Sequence, residues 1–370
     1  MTANKTKWVR LGDYIEEVDK RNTDLSVSLS QGIANTKVFQ EPKQVSSNSK
    51  SDKIVRTGQF AYNRATTRNG EKISIAYRIG ADCTVSSAYC VFKVTKEDLL
   101  DPYFLWMFFS RSEFDRYARY LSKGSAHEFF DWEEMCRVRI PLPSMEVQRE
   151  LVATYEGLKR LAEDNEALIA PLTEACQAFI VDCKRQYPSV PLGDYIEEVD
   201  ERNTEGKYSV EDVMGISIDK VFIDTKANME GVALTPYKLV KPTTFCYVSV
   251  TSRNGGKISL AINSSEQTYI VSSSYEVFKC IGELLPEYLY ILLSRGDFDR
   301  YARFNSWGSA RETFSWEELC RVEIPLPPLE VQQSIVNLYH CIEEAKSIAR
   351  EARDRLTTLC PALVQYAINA

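Results

Sequence analysis

The sequence lacks the residue patterns that usually indicate a metal site, a disulfide framework or a membrane span. Only two histidines occur among 370 residues, and the ten cysteines include no CxxC pair. Zinc-ligand spacing is therefore missing, and the cysteines are expected to be reduced, buried thiols. The sequence contains no run of 18 apolar residues and no apolar signal core at its N-terminus, so we expect a cytoplasmic protein that does not enter a membrane.

Motifs for cofactor binding are missing as well. The sequence has no GxxxxGK[ST] phosphate loop, no [NDS]PP[YFW] amino-methyltransferase motif and no glycine-rich turn between a strand and a helix. Cys136 and Cys320 precede equivalent apolar stretches, but no histidine recurs beside them, so small core residues are favoured over nucleophiles. The sequence therefore offers no recognisable motif for a catalytic centre, for a cofactor or for a metal.

The most informative feature that is present is an internal duplication. The string LGDYIEEVDKRNT at residues 11–23 returns with one change at residues 192–204, and SRSEFDRYAR from Ser110 returns as SRGDFDRYAR from Ser294. The turn string TTRNG from Thr66 returns as TSRNG from Thr251. A period of this length is the size of a domain rather than of a solenoid repeat, so both halves should share one fold.

Charge is distributed unequally between the two copies. Residues 1–143 carry 22 Lys+Arg against 18 Asp+Glu, a net of +4, whereas residues 188–327 carry 14 against 21, a net of −7. Phosphate neutralisation by basic side chains supplies most non-specific affinity for nucleic acid. An acidic chain that reads DNA would therefore need partners to supply much of the positive surface.

Each copy begins with a segment of mixed secondary structure. The alternating stretches IVRTGQFAYNR, KISIAYRI and YCVFKV predict strands, and PYFLWMFFSRSEFDRYARY after Asp101 predicts one or two helices. RVRIPLP and RVEIPLP predict short strands that end at prolines. The pattern indicates an α+β domain in each copy.

A heptad pattern follows each mixed segment. Steps of four and three separate the apolar seam residues of the second copy, namely Val331, Ile335, Leu338, Ile342, Ala345, Ala349, Ala352, Leu356, Leu359 and Leu363. The first copy repeats the pattern at Val147, Leu151, Tyr155, Leu158, Ala162, Asn165, Ile169, Leu172, Cys176 and Cys183, with interruptions at Asn165 and Pro171. Two such helices, one in each copy, predict a pair of long helices that pack against each other.

These strings and their order resemble the specificity subunit of type I restriction-modification systems. The resemblance covers essentially the whole chain and depends on PLPSMEVQ from Pro141, PLPPLEVQ from Pro325, GSAHEFFDWEEM from Gly124 and GSARETFSWEEL from Gly308. LGDYIEEV at the head of each copy is similar to the opening of the family's target-recognition domains.

The resemblance implies a fold, a function and a set of partners. It implies target-recognition domains at residues 1–143 and 189–327, and long helical regions at 144–188 and 328–370 that pair as an antiparallel coiled coil with pseudo-two-fold symmetry. It also implies a non-catalytic, cytoplasmic host-defence protein that reads a bipartite target in double-stranded DNA. Two methyltransferase subunits would dock on it, and restriction or translocase subunits would join through the complex.

Two segments in each copy are candidates for DNA contact. The turn between two predicted strands that contains the TTRNG or TSRNG string, and the GSA loop, together supply these candidate residues: Asn63, Arg64, Arg68, Asn69, Lys72, Lys123, Ser125, His127, Ser252, Arg253, Asn254, Lys257, Ser309 and Arg311. Arginine can bind guanine O6 and N7, asparagine can bind adenine N6 and N7, and lysine suits phosphate. A solvated hairpin turn at Asn-Gly and helix capping ahead of the WEE strings are the alternatives.

Two other classes of protein remain open. The EEVD string with nearby basic residues could belong to a metal-dependent nuclease in a single-chain restriction or modification enzyme. Its recurrence at the head of both copies, without another acid nearby, favours a structural or subunit-docking surface instead. The acidity of the second copy would also suit a DNA mimic or scaffold that binds modification enzymes.

Overall fold

The structure is a computed structural model, and it describes residues 6–42, 50–66, 72–124, 128–251, 256–308 and 311–369. The chain forms two compact units. The first contains Met1–Asp164 together with Ile348–Ala370, and the second contains Asn165–Ser347. Each unit therefore combines one copy of the repeat with parts of both long helices.

The two copies contain the same strands in the same order. The first has β1 (Lys7–Arg10), β2 (Ile15–Glu17), β3 (Gly32–Ile33), β4 (Phe39–Gln40), β5 (Lys53–Val55), β6 (Gln59–Asn63), β7 (Ile75–Tyr77), β8 (Cys83–Val85), β9 (Tyr89–Val94) and β10 (Arg139–Leu142). The second has β11 (Ser189–Pro191), β12 (Ile196–Glu198), β13 (Met214–Ile216), β14 (Phe222–Asp224), β15 (Lys238–Val240), β16 (Phe245–Val248), β17 (Leu260–Ile262), β18 (Tyr269–Val271), β19 (Tyr275–Cys280) and β20 (Glu323–Pro325).

The helices repeat in the same way. They are α1 (Pro102–Phe109), α2 (Ser112–Leu121), α3 (Trp132–Arg137) and α4 (Met145–Gln186), followed by α5 (Pro286–Leu293), α6 (Gly296–Phe304), α7 (Trp316–Cys320) and α8 (Leu329–Asn369). Short 3-10 turns lie at Leu11–Asp13, Leu192–Asp194 and Val210–Asp212. The mixed α+β class predicted from the sequence is confirmed, and the apolar stretch after Asp101 forms two helices.

A four-stranded antiparallel sheet forms the centre of each copy. Its order is β2-β9-β6-β7 in the first copy and β12-β19-β16-β17 in the second. Phe60 and Phe92 stack on neighbouring strands with ring centroids 4.9 Å apart, and Phe245 and Phe278 repeat that contact at 4.8 Å. These rings are fully buried, so both copies have the same aromatic core on the central sheet.

The glycine of the repeated LGD string allows a close approach to the short helix α3 or α7. A Cβ atom added to Gly12 would lie 2.8 Å from the Cβ of Cys136, and one added to Gly193 would lie 2.8 Å from that of Cys320. A larger residue than cysteine would also crowd this contact. Burial raises the pKa of both thiols, which is unfavourable for a nucleophile.

A buried glutamine fixes the start of each long helix to the mixed domain. The Gln332 side chain accepts from the amide of Leu285 at 2.9 Å and donates to the carbonyl oxygens of Glu283 and Pro327 at 2.8 and 2.9 Å. Gln148 makes the three equivalent bonds in the first copy. The EVQ string therefore recurs because its glutamine satisfies backbone groups that would otherwise be buried without partners.

The long helices pack against each other along the predicted seam. In the first unit Leu151 of α4 shares an apolar cluster with Val364 of α8, and in the second unit Cys176 and Ile180 of α4 share one with Ile342 of α8. The start of one helix thus meets the end of the other, so the helices are antiparallel, as predicted. Seam side chains within the described part of the chain are buried or half-buried.

The helix α4 continues through Pro171, where the heptad pattern of the sequence is interrupted. A proline removes the bond to the carbonyl oxygen four residues earlier, here that of Ala167. Ala167 and Pro171 are both exposed, so water can solvate that carbonyl oxygen. The Thr173 hydroxyl donates to the carbonyl oxygen of Ile169 at 2.6 Å, within the same turn. α8 continues through Pro361 in the same way.

Candidate nucleic-acid interface

The two segments predicted to contact DNA lie side by side in the first copy. They are the β6–β7 connection (residues 64–74) and the α2–α3 loop (residues 122–131). The amide of Thr66 donates to the carbonyl oxygen of Glu128 at 2.9 Å, and the amide of Phe130 donates to that of Arg64 at 2.9 Å. Two segments that are far apart in the sequence therefore form one composite surface.

The second copy repeats this surface with the same backbone bonds. The β16–β17 connection (residues 249–259) pairs with the α6–α7 loop (residues 305–315). The amide of Thr251 donates to the carbonyl oxygen of Glu312 at 2.9 Å, and the amide of Phe314 donates to that of Ser249 at 2.8 Å. The protein thus presents the surface twice.

Each of the two loops folds back on itself at a glycine. Lys123 pairs with Phe129, and Trp307 pairs with Thr313, through reciprocal backbone bonds of 3.1 and 2.9 Å. The φ angle of Gly308 is +141°, and a Cβ atom added there would overlap the carbonyl oxygen of Arg311. Only glycine tolerates this geometry, so the glycine of the GSA string is needed to shape the loop.

An ion pair holds each loop against the helix that precedes it. Arg119 of α2 pairs with Glu128, and Arg303 of α6 pairs with Glu312. These arginines end the repeated FDRYAR string, and the glutamates carry the carbonyl oxygens that the neighbouring connection binds. Each loop is therefore held by an ion pair to the preceding helix and by backbone hydrogen bonds to the neighbouring connection.

Capping of the WEE helices does not depend on the predicted contact residues. The N-cap residue of α7 is Ser315, whose hydroxyl accepts from the amide of Glu318 at 3.3 Å. The N-cap residue of α3 is Asp131. Both N-cap residues are the last residues of their loops, and neither is one of the predicted contact residues.

Asn63 and Arg64 lie where β6 ends. The side-chain oxygen of Asn63 accepts from the amide of Ala65 at 3.0 Å, which stabilises the local turn. Arg64 pairs with Asp131 at 3.1 Å and lies 6.0 Å from the ring centre of Phe129. Both partners of the Arg64–Asp131 ion pair are about half exposed. A pair of this kind contributes little to stability, so Arg64 can exchange its carboxylate for a phosphate at small cost.

The other described candidates are exposed at the edges of the two surfaces. The Lys123 side chain is 74% exposed and binds Glu134 at 3.1 Å, and Lys257 pairs with Asp219 at 3.5 Å. Lys72 and Arg311 are also exposed. The remaining candidates lie outside the described residues: Arg68, Asn69, Ser125, His127, Ser252, Arg253, Asn254 and Ser309.

Sequence reasoning missed a set of exposed aromatic side chains beside these loops. Tyr120 at the end of α2 is 85% exposed, and Phe304 at the same repeat position in α6 is 78% exposed. Trp307, inside the α6–α7 loop, is 64% exposed. The signal was an aromatic residue directly after the repeated DRYAR string in both copies. Aromatic rings at such a place can stack on bases or on sugar edges.

Acidic side chains of the two EEVD strings form ion pairs with neighbouring basic side chains. Asp19 pairs with Arg21 at 3.0 Å and with Lys53 at 3.2 Å, and Asp200 pairs with Arg202 at 2.8 Å. Burial acts to raise the pKa of Asp19, but Lys53 and Arg21 outweigh it and hold that pKa below its ordinary value. Within the described ranges, no group of three His, Cys, Asp or Glu side chains could hold a metal ion. The acids thus have structural partners.

Comparison with known proteins shows what a part of this chain is similar to. Residues 221–352 match the family model of the type I restriction modification DNA specificity domain. No curated protein matches the chain significantly. In the helices that the structure describes, no stretch is long and apolar enough to cross a membrane. The matched stretch covers most of the second copy and the first part of α8, which are therefore similar to a DNA specificity domain.

Solved structures extend the likeness to the whole chain. The S subunit of a type I restriction-modification system from M. genitalium is 12% identical, with a TM-score of 0.59, over 100% of this chain and 98% of that one. The HsdS subunit from Thermoanaerobacter tengcongensis is 20% identical with a TM-score of 0.46, over 99% of this chain and 97% of that one. The first of these shows that the chain has the fold of an S subunit, and the predicted resemblance is confirmed.

Proposed function

We propose that this chain is the non-catalytic subunit that gives a type I restriction-modification complex its DNA sequence specificity. The single observation that carries the proposal is the composite surface of connection and loop, which occurs in both copies with the same backbone bonds. Two related surfaces on one chain suit a target with two specified parts. The match of residues 221–352 to a DNA specificity domain supports the same assignment.

The mixed domains and the long helices would have different roles, and each role would occur once in each copy. Residues 1–143 and 189–327 would each read one half of a bipartite site in double-stranded DNA. The helical regions 144–188 and 328–370 would dock two methyltransferase subunits, through which restriction and translocase subunits would join. The net charge of −7 supports a role for such partners, because they would supply the positive surface that DNA binding requires.

Each proposed contact follows from the chemistry of its side chain. Arg68 and Arg253, with their neighbours Asn69 and Asn254, would read base edges, because guanidinium and amide groups can bond purines at two points. Residues around them would contact phosphate or sugar and set the position of the domain. These residues are Asn63, Arg64, Lys72, Lys123, Ser125, His127, Ser252, Lys257, Ser309 and Arg311.

One experiment separates the proposal from its two rivals. The purified chain is incubated with labelled DNA and a methyl donor, with and without a methyltransferase subunit of a type I system. Sequence-specific methylation that requires both proteins supports the specificity subunit. Modification or cleavage by the chain alone would indicate a single-chain enzyme, whereas inhibition of the methyltransferase would indicate the DNA mimic that the acidic second copy allows.

The turn arginines give the proposal a test at the level of single residues. We expect Arg253→Ala to weaken or relax recognition of one half-site, and Arg68→Ala to do the same for the other half-site. Loss of a contact at two points of a base should cost about 1 to 3 kcal/mol. Methylation rates on substrates that differ at single base pairs would measure the change in each half separately.

Arg56→Ala and Lys241→Ala are the matched controls. Both residues are exposed, and they lie just before β6 and β16, away from the connections that follow these strands. These variants should keep the wild-type preference at every position of the target. If the two turn variants behaved like these controls, with an unchanged salt dependence, the connections would be simple turns without a reading role.

A further inference from the structure

A buried ion pair lies directly beneath the connection in each copy. The Nζ atom of Lys37 lies 2.5 Å from Asp115 Oδ1, and the Nζ atom of Lys220 lies 2.6 Å from Asp299 Oδ1. The side chains are at most 10% exposed. Burial lowers the pKa of both lysines, and the aspartates offset part of that effect. Replacing such a pair by apolar residues is often neutral or stabilising, so stability alone does not explain why both copies contain one.

Both members of each pair bind the same residue of the connection. In the second copy the Ile258 amide donates to Asp299 at 3.1 Å, and the Ile258 carbonyl oxygen accepts from Lys220 at 3.2 Å. In the first copy Ile73 makes the same two bonds, at 3.1 Å to Asp115 and 3.3 Å to Lys37. The pair therefore holds the backbone where the connection returns towards the sheet.

The lysines are themselves held in an uncommon conformation. The φ angles of Lys37 and Lys220 are +66° and +63°, in a region that residues other than glycine rarely adopt. Their carbonyl oxygens accept from the Trp106 indole at 3.4 Å and from the Tyr290 hydroxyl at 3.1 Å. Strained backbone persists where the surrounding structure fixes it and is concentrated at functional sites.

One helix in each copy controls both ends of the connection. Asp299 of α6 holds the returning end through Ile258, and Arg303, four residues later, holds the outgoing end through Glu312 and its bond to Thr251. Asp115 and Arg119 of α2 have the same roles in the first copy. These shared contacts give a structural reason why the aspartate and the last arginine of the FDRYAR string occur in both copies.

We propose that the Lys37–Asp115 and Lys220–Asp299 pairs are positioning residues that set sequence specificity by fixing the two connections. This inference rests on the proposed function, because a fixed connection matters only if it reads DNA. The pairs are buried and do not touch DNA themselves. Removing one pair should leave affinity for unrelated DNA in place and reduce the discrimination made by its own copy.

The test uses the full chain assembled with methyltransferase subunits. The variant Lys220→Met/Asp299→Asn keeps an acceptor for the Ile258 amide and removes the lysine donor and the ionic contact, and Lys37→Met/Asp115→Asn does so in the first copy. The control is Lys238→Met/Glu276→Gln. It removes a buried-lysine ion pair of 3.1 Å that makes no bond to the described residues of the 249–259 connection.

Two measurements are made on each complex: hydrogen exchange across the connections, and methylation of the wild-type target against targets substituted in one half. We expect faster exchange at residues 249–262 in the Lys220/Asp299 variant and at least a tenfold loss of preference in one half-site only. The first-copy variant should affect the other half-site. Binding of unrelated duplex should change by less than twofold, and the control should behave like the wild type.

The outcomes separate the failure of this inference from the failure of the proposed function. A folded variant with wild-type exchange and preference, or one with faster exchange and unchanged preference, overturns the positioning role. A wild-type complex without preference in either half overturns the proposed function and this inference together. Because the copies are tested separately, a variant that fails to fold in one copy leaves the other to decide.

Discussion

Replacing Gln332 by leucine is expected to destabilise the second unit by about 3 kcal/mol or more. The substitution leaves three backbone groups without their partner, namely the partly buried Leu285 amide and Glu283 carbonyl oxygen and the buried Pro327 carbonyl oxygen. Each buried backbone group left unsatisfied costs about 1 to 3 kcal/mol. Denaturant unfolding, followed by hydrogen exchange at the start of α8, would measure the loss.

Gln333→Leu is the control for this prediction. Gln333 is the next residue of α8, but its side chain is exposed and bonds only to Asn337 among the described contacts, at 3.0 Å. Exposed substitutions of this kind usually change stability by less than about 0.5 kcal/mol. Equal effects of the two substitutions would show that the buried amide does not fix the helix to the mixed domain.

A four-residue insertion after Glu166 in α4 is expected to widen the unread gap of the target by about one to two base pairs. Each residue adds about 1.5 Å to a helix, and each base pair occupies roughly 3.4 Å along the DNA axis. Four residues also form a stutter that locally unwinds a heptad seam, so some stability should be lost. Mapping the methylated sites of the variant gives the gap directly.

A seven-residue insertion made in both α4 and α8 provides the matched control. A whole heptad preserves the phase of the seam, so this variant should lose less stability. It should widen the gap by about three base pairs at 1.5 Å per residue. An active variant of either kind that retained the original gap would show that these helices do not set the distance.

Periodicity made the larger features of the fold predictable. The steps of four and three from Val331 to Leu359 predicted α8, and the same steps from Val147 predicted α4 and the pairing of the two helices. Pro171 interrupts the heptad pattern in the sequence, but it does not end the helix. Its effect depends on whether the freed carbonyl oxygen is exposed, and the residue type does not reveal exposure.

The candidate surface was predictable only in its parts. The connection and the loop each stood out as repeated polar strings. The Glu128 carbonyl oxygen, however, accepts from the amide and from the hydroxyl of Thr66, which lies 62 residues away in the sequence. Backbone pairing of this kind leaves no signature in composition. Tertiary structure alone shows that the two strings form one surface.

The buried lysine–aspartate pairs had a signal that was overlooked. The string KVF begins at Lys37 and again at Lys220, and the partner aspartates lie in the repeated FDRYAR string. A lysine followed by two apolar residues resembles an ordinary exposed charge. Burial of its Nζ atom against a carboxylate depends on packing that neither string encodes alone.

The most direct test of the account is a map of methylated sites in DNA exposed to this chain and its methyltransferase subunits. Two similar domains related by antiparallel helices should read similar letters on opposite strands. The copies differ at Thr67 and Ser252 and at His127 and Arg311, so we predict two related but non-identical half-sites around an unspecified gap. One continuous site, two unrelated half-sequences, or methylation without sequence preference would contradict the account.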